Sequence, residues 1–191
     1  RSGGQWDESV AVLDPVIARE AEAPDWRLLY LRAVSLEQGG RWPEAERDLQ
    51  AALKLNPDEP ELLNFLGYSW IDRGEHLKEA LAMVQKAVDA RPQSGAMLDS
   101  LGWAYYRLGD YKTAVEKLEA AAEMEPGDPD VNDHLGDAYW RVGRKTEATF
   151  QWRRVLSLEP DDKQKAEAEA KLKNGLGPAT APIVKSTMAH N

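Results

Sequence analysis

Three side chains invite a chemical reading first: Asp133, His134 and Asp137. Two carboxylates and an imidazole are ligand types for a divalent cation, and Asp133 and Asp137 share one face of a helix. His134 lies about 100° round from Asp133 on such a helix, and no second histidine is near in sequence. The group therefore reads as an acidic patch, solvated or facing a peptide, and no metal is assigned to it. His76 falls in a turn and His190 near the end of the chain, and both read as exposed. There is no cysteine, which removes disulfides, thiolate zinc sites and cysteine nucleophiles. Neither a glycine-rich phosphate loop, nor a nucleophile elbow, nor a carboxylate pair at a catalytic spacing occurs. The chain reads as non-catalytic, with no cofactor.

Composition narrows the partners. Charged residues make up 30% and hydrophobic ones 42% of 191 residues, as in a soluble folded protein. A net charge of −9 argues against a nucleic-acid or acidic-membrane binder, which needs a basic surface. No apolar run approaches the roughly 20 residues of a membrane-spanning helix.

The elements that would position such residues are clearest between Leu98 and Pro126. Leu98, Leu101, Gly102 and Tyr105 recur at the i, i+3, i+4, i+7 spacing of one helical stripe. Gly109 and Asp110 interrupt the pattern. Ala114, Leu118 and Ala121 then form the stripe of a second helix, which Pro126 ends. Gly102 and Ala114 are small, so the two helices can approach closely. On that reading Gly102→Leu is disruptive, whereas Gly102→Ala is expected to be mild.

The unit recurs. Pro57, Pro92, Pro126 and Pro160 lie 35, 34 and 34 residues apart. Ala33, Gly67, Gly102 and Gly136 keep the same period in the first helices, and Ala45, Ala80, Ala114 and Ala148 keep it in the second. One extra residue falls in the Arg73–Lys78 turn. The pattern L-G-x2-Y, then A-x3-L-x2-A, then P resembles the tetratricopeptide repeat, a helix–turn–helix unit of about 34 residues. The resemblance implies an all-α fold: a right-handed superhelical α-solenoid of such repeats.

Taken in order, residues 1–24 read as the second helix of a truncated repeat plus a linker. Gly4, Ser9, Leu13 and Val16 match Gly40, Ala45, Leu49 and Ala52 of the next unit, and Pro15 is expected to kink this helix. The missing first helix suggests a fragment of a longer chain. Four repeats follow, at about 25–58, 59–93, 94–127 and 128–161. Arg32 stands where other copies have leucine, and Asn132 where an apolar residue is expected. Residues 162–174 read as a polar capping helix with alanines and Leu172 as its thin apolar edge. Residues 175–191 read as a disordered tail from Leu176 onward.

A second face of each first helix lies one residue on from the core stripe. It carries Tyr30, Val34, Glu37 and Gln38 in repeat one, Asn64, Tyr68, Ile71 and Asp72 in repeat two, Asp99, Trp103, Tyr106 and Arg107 in repeat three, and Asp133, Asp137, Trp140 and Arg141 in repeat four. A purely solvated face would be Lys, Glu and Gln. Aromatics interleaved with Asn and Asp are the mixture of interface anchors, although Trp103 and Trp140 are also large enough to pack on a neighbouring repeat. The family resemblance puts this face on the concave side. It implies a groove that grips a partner segment with apolar anchors and basic residues between them. The lysines used by family members that clamp chaperone C-termini are missing here.

At finer grain, the stretches LNFLGYSWIDRGEHLKEALAMVQKAVDARP, LDSLGWAYYRLGDY and NDHLGDAYWRVGRKTEATFQWRRVLSLEP resemble the C-terminal repeats of long proteins of Gram-negative bacteria. Some of those are envelope lipoproteins that act as adaptors, delivering substrates to periplasmic processing proteases. That implies a scaffold or adaptor at the periplasm or outer membrane, with the cytoplasm as the alternative setting. The chain lacks the anchoring cysteine, and no direct membrane insertion is expected of it. Self-association through the open N-terminal end, or a regulatory role within a larger enzyme, are the alternative functions.

Overall fold

The computed structural model describes residues 4–19 and 25–179, so the linker before Asp25 and most of the expected tail lie outside them. The chain divides into two units, Arg1–Leu66 and Gly67–Asn191. The first holds α1 (Gly4–Arg19), α2 (Trp26–Gln38), α3 (Trp42–Leu55) and the start of α4 (Pro60–Arg73). The second holds the rest of α4, then α5 (Leu77–Ala90), α6 (Gly95–Arg107) and α7 (Tyr111–Met124). It continues with α8 (Pro129–Arg141), α9 (Lys145–Ser157) and α10 (Asp162–Asn174). Within each unit consecutive helices pack as antiparallel neighbours: α1 on α2 and α2 on α3 in the first, α5 through α10 in series in the second.

Local chemistry starts these helices where the sequence changes character. Asp25, Ser94, Asp110, Asp128 and Asp161 each accept a hydrogen bond from a backbone N–H of the first turn. Such caps contribute about 1 kcal/mol apiece. Asp161 and Gln164 form a reciprocal capping box on α10. The extra residue of the second repeat is absorbed by His76, which takes a left-handed φ of 46° and lays its ring 4.5 Å from that of Trp70.

The small residues sit at the closest helix crossings. A Cβ on Gly102 would lie 2.6 Å from Leu118 Cγ and 2.9 Å from its Cδ2; on Gly136 it would lie 2.6 Å from Trp152 Nε1. Leu118 and Trp152 are fully buried and cannot swing away, so the expectation that Gly102→Ala is mild needs correcting. Alanine gains about 1 kcal/mol of helix propensity but must displace a core leucine at its branch point. We expect Gly102→Ala to cost about 1 kcal/mol net and Gly102→Leu about 3 kcal/mol. Denaturant midpoints of the two variants at unchanged m-value check this.

Several side chains depart from their sequence reading for physical reasons. Ser9, Leu13 and Val16 of α1 are only half-buried, while Val10 and Ile17 are the buried ones. One residue on from the expected stripe, Val10 corresponds to Val115 of α7, which joins the core cluster formed with α8. It is the face a second helix turns to the following repeat. Ser9, Leu13 and Val16 would instead meet a first helix of their own repeat. Pro15 lies within a helix that continues to Arg19. Arg32 is explained by Asp48, whose two carboxylate oxygens accept from Arg32 Nε and Nη2 at 2.7 Å each. Asn132 is 2% exposed and donates to the carbonyls of Pro126 and Asp128 at 3.1 and 2.7 Å, tying down the α7–α8 turn. Ile71, read as part of the open face, is fully buried.

Candidate partner-binding strip

In the first unit Tyr30 stands half-buried on α2, edge-on to Phe65 of α4 with ring centroids 5.7 Å apart. Asn64 beside Phe65 is also half-buried, and its side-chain oxygen is enclosed without a hydrogen-bond partner.

The second unit brings most of the predicted residues together. On α6, Trp103 is sandwiched: its ring stacks on Tyr106 at 4.4 Å and on His134 of α8 at 4.0 Å, nearly parallel to both. His134 Nδ1 and Asp99 Oδ1 are 2.9 Å apart, and Tyr68 approaches the same imidazole at 6.4 Å. Burial alone would lower the His134 pKa. The Asp99 carboxylate outweighs it, with Asp133 and Asp137 adding, and raises it to about 9. His134 is thus an imidazolium at neutral pH, donating to Asp99 and lying over an indole face, which also favours a cation. The sequence reading of a solvated patch here is corrected: His134 is 7% exposed and couples two consecutive first helices. Tyr68 is held above its ordinary phenol pKa by burial and then by Asp72 and Asp99.

On α8 the two aspartates face a cation from α10. Lys171 Nζ lies 2.9 Å from Asp133 Oδ1 and 2.9 Å from Asp137 Oδ1. Asp137 also accepts from the buried indole of Trp152 at 3.0 Å. Burial and then the adjacent Asp133 push the Asp137 pKa up, against the pull of Lys171. Burial works against the charge on Lys171, and the two carboxylates more than restore it. Trp140, half-buried, lies against Trp152 and receives the Lys145 ammonium 4.8 Å from its centroid. Arg141 donates from Nε to Tyr106 Oη at 3.2 Å and from Nη1 to the Gly177 carbonyl at 2.6 Å. Leu172 and Leu176 pack against the core cluster of α7, α8 and α9. The expectation of a disordered tail from Leu176 is therefore corrected at its start; residues 180–191 lie outside the described part.

The predicted face thus separates by depth. Asp99, Trp103 and Asp137 are buried and brace the strip from below. Tyr68, Tyr106, Arg107, Asp133, Trp140 and Arg141 are half-buried and offer part of their surface. Lys171 was missed because its role depends on carboxylates 38 and 34 residues earlier; only the helical period, carried one repeat further, could have placed it. Among the described residues no group of three or more His, Asp or Glu could hold a metal ion, and no helix is long and apolar enough to cross a membrane.

Known proteins share this repeat. A tetratricopeptide repeat family model matches residues 1–48 and 30–95, and a TPR repeat model matches 102–143. The chain belongs to the tetratricopeptide repeat family. The TPR repeat-containing protein PA4667 of Pseudomonas aeruginosa is 38% identical over 85 residues, covering 44% of this chain and 14% of that protein's length. Among solved structures, the thermophilic TPR protein TTC0263 of Thermus thermophilus superposes with a TM-score of 0.72 at 20% identity, over 89% of this chain and 92% of that one. A MamA structure superposes at 0.68 with 23% identity, over 82% and 86%. At such identity these structures bear on the fold, which is the all-α tetratricopeptide solenoid class. Tetratricopeptide repeats are in general protein-interaction scaffolds without catalysis.

Proposed function

We propose that this tetratricopeptide module is a non-catalytic adaptor that grips a partner segment along the strip on α6 and α8. The observation that carries the reading is the two-layer build of that strip. Half-buried Tyr106, Arg107, Asp133, Trp140 and Arg141 stand on a buried layer in which Trp103 stacks on His134, His134 pairs with Asp99, and Asp137 accepts from the Trp152 indole. Side chains locked from beneath lose little further freedom on binding, which is what an anchor site needs. The partner it suits is a segment with apolar anchors and Lys or Arg between them, steered by the carboxylates and by the −9 net charge.

Peptides selected from a random library on the immobilised protein test this by calorimetry. Tyr106→Ala is expected to cost about 2 kcal/mol of affinity at unchanged helical content. Asp133→Asn is expected to slow association and flatten its salt dependence. Selected peptides that ignore both substitutions contradict the reading.

One observation favours self-association as a second reading. Ser9, Leu13 and Val16 of α1 are half-buried and Val12 is 69% exposed, side chains that a second copy would cover. Light scattering across concentration, with and without Leu13→Glu, distinguishes it: a monomer at all concentrations removes this reading.

A further inference from the structure

The strip is not empty at its α8 end. Four features of the C-terminal segment meet it, each with its own partner. The Lys171 ammonium sits between Asp133 and Asp137. Gly175, at φ 66°, lies so close to the indole of Trp140 that a Cβ there would run into the ring. Leu172 and Leu176 pack against the same core cluster as Trp140 and Tyr106. The Gly177 carbonyl accepts from Arg141, which also donates to Tyr106. Lys171 and Leu172 belong to the end of α10, Gly175 is its C-cap, and Leu176 and Gly177 follow it. A capping helix alone requires only the apolar edge at Ala168 and Leu172. The lysine clamp and the returning backbone engage Asp133, Trp140 and Arg141, three residues assigned above to the partner.

We propose that Lys171–Gly177 is a ligand held in cis: it fills the α8 end of the strip in the free protein, and the partner is a segment of the same chemistry that must displace it. The required chemistry is a lysine for the aspartate pair and flanking leucine-sized side chains. It also includes a glycine where the chain crosses Trp140, and a free backbone carbonyl for Arg141. The inference rests on the proposed partner-binding reading and adds regulation to it. Partner binding and docking of residues 171–177 exclude each other, so the observed affinity is reduced by the fraction of molecules in which the segment is docked.

The test uses the full chain and a synthetic peptide of its own residues Ala168–Ala179, followed by calorimetry. Gly175→Ala strains a left-handed position and drives a methyl into Trp140; because the Gly175 backbone N–H donates to the Lys171 carbonyl, it loosens the last turn of α10 and the lysine clamp together with the returning backbone. The variant is expected to bind the peptide at least about tenfold more tightly than the parent. Adding Asp133→Asn and Asp137→Asn to it is expected to abolish that gain, as is replacing the peptide's lysine at position 171 by norleucine. A second readout does not depend on the variant's folding. In the parent protein, saturating peptide must accelerate amide exchange at residues 172–177 relative to α9. Equal affinity for parent and Gly175→Ala, or peptide bound with no change in exchange at 172–177, overturns the proposal. If library-selected peptides bind the strip while the Ala168–Ala179 peptide binds neither form, the cis-ligand inference fails and the adaptor reading stands. If neither kind of peptide binds, the adaptor reading fails with it.

Discussion

Trp103→Ala is expected to destabilise the second unit by about 3–5 kcal/mol, the range for truncating a buried indole. The ring is nine-tenths buried and stacks on both Tyr106 and His134. Its loss removes two aromatic contacts at once and leaves the His134 imidazolium facing a cavity rather than an indole. Denaturant unfolding reads the effect directly, and a stability within about 1 kcal/mol of the parent would show that the stack bears no load. The prediction also separates two roles that look alike in sequence. Binding lost in Trp103→Ala travels with the fold and says nothing about contact, whereas Tyr106→Ala removes a half-exposed ring and reports on the partner.

The second large effect concerns pH. The His134 pKa is raised to about 9 in the folded chain, above the ordinary value of about 6.5. The folded state therefore holds this proton more tightly than the unfolded one. Its contribution is fully present below pH about 6.5 and is lost as pH rises through about 9. At about 1.4 kcal/mol for each pKa unit the window is worth on the order of 3 kcal/mol. Asp137 acts in the same sense at lower pH: its raised pKa means that stability falls as pH climbs from the ordinary carboxylate range toward neutrality. Stability measured from pH 6 to 9.5 should decline, and Asp99→Asn should remove most of the slope above pH about 6.5. That variant deletes the charge that keeps a buried imidazole protonated. A parallel slope in parent and Asp99→Asn contradicts the assignment.

How far the sequence could be read followed the range of the forces involved. The repeat clock and the close crossings at Gly102 and Gly136 depend on neighbours within one helix pair. These were readable from spacing and side-chain size. The finer error at Gly102→Ala arose because spacing says that a contact is close but not that Leu118 meets it with its branch point. His134 and Lys171 were misread or missed for a different reason. A charged side chain next to acidic neighbours looks solvated until the preceding repeat delivers its partner: Asp99 to His134 across 35 residues, Asp133 to Lys171 across 38. Burial of Ile71 and of Val10 likewise depends on which face of a helix the next repeat covers. The strip itself was predictable as a face of the first helices. Its division into a buried brace and a half-open upper layer was not.

The most direct test of the central claim is backbone amide and indole NMR of the protein titrated with a library-selected peptide. The largest shifts are expected on α6 and α8, at Tyr106, Arg107, Asp133, Arg141 and the Trp140 indole. α9 around the exposed Phe150, 58% accessible, should stay unmoved. Shifts centred on Phe150 and the outer face of α9, with the Tyr106–Arg141 region silent, would contradict it.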